Sequence, residues 1–188
     1  MEGKLIIFSA PSGSGKTTIV KKLLAMGLPL SFSISATSRS RRKGEQDGKD
    51  YYFFTAEEFQ QKIRQDAFLE WEEVYENQYY GTLKSELDRI WQQNKHVIFD
   101  VDVKGGINIK NKYPQRSLSL FIMPPSLEEL KNRLLNRGSE TETSLKHRLD
   151  KAAYEISFAD RFDKIIKNDD LSRAVQETYN AIIDFLQK

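Results

Sequence analysis

The residues best suited to chemistry stand together near the N-terminus: Ala10-Pro11-Ser12-Gly13-Ser14-Gly15-Lys16-Thr17-Thr18. Glycines at 13 and 15 allow positive φ, so successive backbone N–H groups can turn inward around an anion. Lys16 can reach the β- and γ-phosphates of a nucleoside triphosphate, and the Thr17 hydroxyl can ligate Mg²⁺. Ala10-x-x-x-x-Gly15-Lys16-Thr17 is the spacing of a P-loop, with Ala10 adding little bulk where Gly is usual. The flanks agree with that reading. Leu5-Ile6-Ile7-Phe8 is a short apolar run fit for a buried strand, and Ile19, Leu23 and Leu24 open a helical pattern whose N-terminus favours negative charge.

Phosphoryl transfer needs more positive charge than one lysine supplies, because charge sits on the equatorial oxygens and on the acceptor. Two arginine groups can provide it: Arg39, Arg41 and Arg42, then Arg133, Arg137 and Arg148. Planar guanidinium forks match phosphate oxygens, and Arg133 and Arg137 share one helix face at i, i+4. Asp100 and Asp102 close the run Val97-Ile98-Phe99. A carboxylate there can position Mg²⁺ or its waters, and i, i+2 spacing places the two acids on one strand face. Asp102-x-x-Gly105 also fits a short pattern of GTP-hydrolysing switches, but the base-reading Asn-Lys-x-Asp of those proteins is absent. His96 and His147 lack metal-ligand spacing and read as structural.

Those side chains need elements to hold them. A first helix is expected from Lys16 to Ala25, ended by Gly27 and Pro29. Phe32, Ile34 and Ala36 alternate as one half-buried strand, and Tyr51 to Phe54 gives another. Thr55 and Glu58 form a capping box for a helix with Phe59 and Ile63 inward. Glu70 to Tyr75 and Gln78 to Tyr80 flank a Glu76-Asn77 turn, the mark of a hairpin. Leu83, Leu87, Ile90 and Trp91 follow helical spacing, Val97 to Asp102 reads as a buried parallel strand, and Ser117 to Met123 as another. Ser126 and Glu129 box a helix with Leu127, Leu130 and Leu134 inward, a polar break follows at 137–142, and a further helix carries Leu145, Leu149, Ala153 and Ile156. Phe162 to Ile166 is the last strand, and Leu171, Val175, Thr178, Ile182 and Phe185 line the last helix. Strands alternating with helices predict a three-layer α/β P-loop NTPase fold with a parallel sheet core. Residues 33–83 break that rhythm as an insertion; 126–157 is expected to be a helical lid, leaving 1–32, 84–125 and 158–188 as the core.

Length and composition bound the function. A chain of 188 residues suits one domain. A net charge of +2 argues against a bulk nucleic-acid binder, and the absence of cysteine excludes disulfides and thiolate metal sites. The N-terminal apolar run is too short for a signal peptide, and no segment approaches the ~20 apolar residues of a membrane span. A cytoplasmic enzyme without membrane or nucleic-acid partner is expected, its oligomeric state open.

Several longer stretches carry a family resemblance. Ser35-Ala36-Thr37-Ser38-Arg39-Ser40-Arg41-Arg42-Lys43-Gly44-Glu45 with Gly48-Lys49-Asp50-Tyr51-Tyr52-Phe53 resembles the signature of guanylate kinases. Phe68-Leu69-Glu70-Trp71, Tyr79-Tyr80-Gly81-Thr82, Asp100-Val101-Asp102-Val103-Lys104-Gly105, Arg137-Gly138-Ser139-Glu140-Thr141-Glu142 and Ile166-Lys167-Asn168-Asp169 match in the family's order, over essentially the whole chain. The resemblance implies an ATP:GMP phosphotransferase using Mg²⁺. Arg39, Arg42, Tyr51 and Tyr80 would hold the GMP phosphate; Ser35, Glu70 and Thr82 would read guanine within the 33–83 insertion. Asp100 and Asp102 would serve the metal and acceptor region, Arg133, Arg137 and Arg148 the lid and ATP side, and Asn168 would lie near adenine. The chain departs from the family pattern at Ser38, commonly Thr, at Arg41, commonly Pro, and at Lys104, frequently Gln. Two other readings compete: a peptide-binding module of the guanylate-kinase-like type, opposed by the intact Gly15, Lys16 and Thr17, and a P-loop kinase for another phosphorylated acceptor, which Glu70 discriminates.

Overall fold

A computed structural model describes residues 3–136 and 142–188. In chain order its elements begin β1 (Leu5–Ser9), α1 (Lys16–Ala25), β2 (Leu30–Phe32), β3 (Ala36–Thr37), β4 (Tyr52–Phe53), α2 (Ala56–Arg64), β5 (Phe68–Tyr75) and β6 (Gln78–Leu83). They continue α3 (Ser85–Trp91), β7 (His96–Asp100), α4 (Val103–Lys112), β8 (Ser117–Met123), α5 (Leu127–Leu135), α6 (Glu142–Ile156), β9 (Lys164–Lys167) and α7 (Leu171–Gln187). The described residues form two compact units, one made of Gly3 and residues 29–99, the other of residues drawn from 4–28 and 100–188.

The second unit is built on parallel strands. β1 pairs with β8 from Leu5↔Ser117 to Ser9↔Phe121, and β8 pairs with β9 from Leu120↔Lys164 to Met123↔Lys167. All five residues of β1 are buried, which is why its sequence is a continuous apolar run instead of an alternation. Helices complete the packing. Val103 and Ile107 of α4 meet Phe121, Ala159 and Phe162, with the two phenylalanine rings 5.4 Å apart. Leu130 and Leu134 of α5 close a second cluster with Leu145 and Ala152 of α6. α7 begins on the Asp170 side chain, which accepts from the Arg173 N–H, and buries Ala174, Val175, Thr178, Ala181 and Ile182.

The first unit holds the parallel pair β2–β7 and a four-stranded sheet in the order β4-β3-β6-β5. Within that sheet β3 is parallel to β4, while β3–β6 and β5–β6 are antiparallel. The β5–β6 hairpin turns at Asn77 with φ 57°, a conformation asparagine tolerates well. Gly81 allows the two strands to approach closely, since a Cβ there would lie 2.6 Å from the Glu70 carbonyl oxygen. α2 starts with both halves of the Thr55–Glu58 capping box and lays Phe59 on the sheet. The Phe59 ring stacks on Phe68 and Tyr79, 4.2 and 5.4 Å away, and fully burying it contributes ~1.5–3 kcal/mol.

Several elements differ from the sequence expectation. The alternation Phe32, Ile34, Ala36 is two strands in two sheets, β2 and β3. The chain crosses between them at Ser33, whose N–H bonds the Ile98 carbonyl, and Ser35, whose carbonyl accepts from Tyr52 N–H; alternation shows burial, not which sheet receives it. Leu83 ends β6 instead of opening α3. The strand expected to run to Asp102 stops at Asp100, because Asp102 caps α4 by accepting from the Gly105 N–H. α4 itself was not anticipated; two glycines mask its helical pattern. Leu127 is exposed at 45%, while Leu130 and Leu134 are buried as expected. On α6 the buried alanine is Ala152, not Ala153. Phe162 precedes β9 and packs in the core.

Candidate active site

α2, α4, α5 and α7 each begin with a side chain that accepts from a first-turn N–H: Thr55, Asp102, Ser126 and Asp170. α1 does not. Its N-cap is Gly15 in the left-handed region, φ 90°, with no side-chain cap and no acid in the first turn. The exposed donors of such a terminus favour a bound anion. Gly13 also has a positive φ, 94°, so the turn doubles back as the sequence requires. Residues 10–17 line one side of a cavity of about 370 Å³. Ser14 is fully buried, and the exposed Thr18 is outside the lining.

Opposite the loop stand Asp100, Val101 and Asp102. Lys16 forms an ion pair with Asp100. The turn that carries the acids is pinned to β1: Ser9 Oγ lies 3.0 Å from the carbonyl oxygens of both Val101 and Asp102, and Val101 N–H bonds the Phe8 carbonyl at 3.2 Å. Gly106 is needed there, since a Cβ would fall 2.8 Å from Ser9 Oγ. The two acids therefore do different work than a strand pair would. Asp100 faces Lys16, whereas one Asp102 oxygen is occupied at 2.7 Å by the Gly105 N–H.

α6 supplies the rest of the lining through Arg148, Lys151 and Glu155, which recur at helical spacing. Sequence reasoning found only Arg148; reading the same helix face onward by three and seven residues would have found the other two. Glu155 is 8% exposed, and burial pushes its carboxyl up while Lys151 and Lys16 pull it down.

Arg133 and Asn168 lie behind the loop instead of in the cavity wall. Asn168 is buried, and its amide donates to the Ser14 carbonyl at 2.6 Å. Arg133 donates to the Asn168 carbonyl at 3.2 Å and to Glu129 at 3.1 Å. A Cβ on Gly15 would approach Asn168 Nδ2 to 2.2 Å, so the loop rests directly on that amide. Arg137 lies outside the described residues.

A family model described as guanylate kinase matches residues 2–185. Guanylate kinase from Bacteroides thetaiotaomicron is 52% identical over 188 residues, covering 100% of this chain and 92% of that protein. The chain belongs to the guanylate kinase family. Guanylate kinase from Porphyromonas gingivalis is also 52% identical, over 98% of this chain and 99% of its own length. The crystal structure of guanylate kinase from Anaplasma phagocytophilum superposes with a TM-score of 0.78 at 30% identity, over 99% of this chain and 87% of that one.

The guanylate kinase signature residues in the first unit come together on and beside the four-stranded sheet. Tyr51 and Tyr80 rings meet edge-to-face at 6.2 Å, and the Arg39 guanidinium lies 5.0 Å over Tyr51. Glu45 grips Arg39 with two bonds of 2.7 and 2.6 Å and accepts from the Arg42 N–H at 2.8 Å; the Arg42 side chain is exposed. Glu70 and Thr82 are cross-strand partners, and the Thr82 hydroxyl donates to Glu70 Oε1 at 2.7 Å. Ser35 is half-buried where the chain enters β3. Sequence reasoning missed Glu86, a buried carboxylate that receives Ile34 N–H, Tyr52 hydroxyl and both arms of Arg89, each within 2.8 Å. It sits between the segments bearing Ser35 and Tyr51. An acid just before Leu87, near the start of a helical apolar pattern, gave no signal of that role.

Proposed function

We propose that the chain binds ATP on the P-loop of the second unit and GMP on the four-stranded sheet of the first, and moves the γ-phosphate from one to the other. The observation that carries the GMP half is the Glu70–Thr82 pair. A carboxylate only accepts hydrogen bonds, and guanine presents two adjacent donors, N1–H and the 2-amino group. Adenine presents a bare N1 acceptor and no 2-amino group, so it would leave the acid unpaired at a cost of ~1–3 kcal/mol or more. Arg39, Arg42, Tyr51 and Tyr80 would then receive the phosphate, and Ser35 would join the base-reading pair.

On the ATP side, Lys16 would move its charge from Asp100 to the β- and γ-phosphates, with the α1 N-terminus holding the same oxygens. Arg148, with Arg137 of the proposed lid 126–157, would neutralise the transferring group, and Arg133 and Asn168 would support the loop under the nucleotide. No general base is required, since a GMP phosphate is largely dianionic near neutral pH. The hard oxygen donors Thr17 and Asp100, both in the cavity lining, suit Mg²⁺, which takes one or two protein oxygens and keeps its waters. When bound it would supply positive charge that offsets the negative charge of the phosphates. No helix among the described residues is long and apolar enough to cross a membrane.

Calorimetric titration tests the assignment: GMP should bind and AMP should not at the same concentrations. Equal binding of both would remove Glu70 from the base-reading role.

A further inference from the structure

Arg39 has five N–H donors, and Glu45 and Ser40 take three of them. Nη1 donates to the Ser40 carbonyl at 3.0 Å and to Glu45 Oε2 at 2.7 Å; Nη2 donates to Glu45 Oε1 at 2.6 Å. Glu45 thus occupies the end of the guanidinium, between Nη1 and Nη2. Glu45 and Ser40 do not take Nε–H or the second Nη2–H, which lie along one side edge and match two oxygens of a single phosphate. The plane itself is fixed by Tyr51 and Phe53, whose ring centres lie 5.0 and 5.6 Å from it. Tyr80 is close enough to interact with the same guanidinium.

We propose that Glu45 is a positioning residue for the acceptor site: it clamps the end of Arg39 so that the side edge is presented, already oriented, to the phosphate of GMP. This rests on the reading of Arg39 as a GMP-phosphate ligand. A long arginine side chain otherwise samples many rotamers and would have to be ordered by the ligand itself. The clamp does not compete with the phosphate, because the two anions take different edges of one planar group. The carboxyl of Glu45 is lowered to about 2, by its bonds to Arg39 first and to the Arg42 N–H second, so the clamp stays charged across the working pH range. Glu45 also fixes the Arg42 backbone, which brings a second arginine into the same loop.

A double-mutant cycle read by GMP calorimetry tests this. Glu45→Gln keeps shape and volume but replaces one acceptor with a donor facing Arg39. It should weaken GMP about tenfold in the parent chain, the scale of ordering one long side chain. In an Arg39→Ala background it should change GMP affinity little, because there is no guanidinium left to aim. ATP affinity should be the same in all four proteins. Tighter GMP binding by Glu45→Gln would show a competitor instead of a clamp and overturn the inference, as would no change. Equal weakening in both backgrounds would place Glu45's effect in the Arg42 turn and overturn it too. If Arg39→Ala alone leaves GMP binding intact, the acceptor-site reading fails, and the inference fails with it.

Discussion

Lys16 and Asp100 pair with each other, so on the proposed function an arriving triphosphate would have to draw the ammonium away from a carboxylate before it could serve the transferring group. Replacing Lys16 with Met removes that charge while keeping the stem. The expected result is a fall in kcat of about 10²-fold or more with a barely altered melting curve, since the ammonium acts on charge that develops in the transition state. Glu70→Gln makes the complementary test in the other unit. An amide nitrogen would face guanine's donors, and kcat/KM for GMP should fall by about two orders of magnitude while calorimetry finds ATP affinity unchanged. In the sequence Lys16 stands out through its glycine-rich turn, whereas the role expected of Glu70 rests on the family resemblance of Phe68-Leu69-Glu70-Trp71. The roles of Glu45, Glu86, Lys151 and Glu155 were not legible there. The role of Glu45 comes from a loop that folds it back on Arg39 six residues earlier, that of Glu86 from partners as distant as Tyr52, and those of Lys151 and Glu155 from a helix face whose inner side only packing reveals.

At the scale of elements, two supports decide whether the sites keep their shape. The P-loop rests on Asn168, which follows β9 and bonds the Ser14 carbonyl. Asn168→Ala should weaken ATP binding by about five- to tenfold, the worth of one hydrogen bond, and leave GMP affinity unmoved; paired titrations of the two nucleotides measure this. In the first unit, Glu86 ties α3 to the segment before β3 and to β4. Burial alone would raise its carboxyl, but bonds from Arg89, the Ile34 N–H and Tyr52 outweigh it and hold the group below the ordinary 4.5; the same environment pushes the Tyr52 hydroxyl up to about 12. A lowered carboxyl stabilises the folded chain fully above its unfolded value and loses that contribution as pH falls. Glu86→Ala should therefore cost ~3–5 kcal/mol at pH 7, because Arg89 and Tyr52 lose a buried partner, and the gap to the parent should narrow below about pH 4 in denaturant titrations. Helix ends were the most legible elements, with Thr55, Ser126 and Lys16 each placed correctly, since capping is a local rule. The β2–β3 division and α4 were hidden because one depends on sheet partners and the other contains two glycines, of which Gly106 packs against Ser9.

For the whole molecule, the proposed function gives each unit one half of the chemistry: an uncapped helix terminus with Lys16 in one, a carboxylate and an oriented arginine in the other. The net charge of only +2 means that phosphate binding depends on these local groups and not on a general positive field. Family membership and the order of motifs were readable along the chain, as the 52% identity to relatives over its full length bears out. The most direct test of the account is a coupled assay of ADP formation from ATP with GMP, AMP, CMP and UMP offered singly. The account predicts turnover with GMP and a kcat/KM for AMP lower by about 10⁴-fold, the discrimination expected of a site built around hydrogen bonds that the wrong base cannot make. Comparable rates with AMP and GMP, or no nucleotide-dependent ADP formation at all, would contradict it.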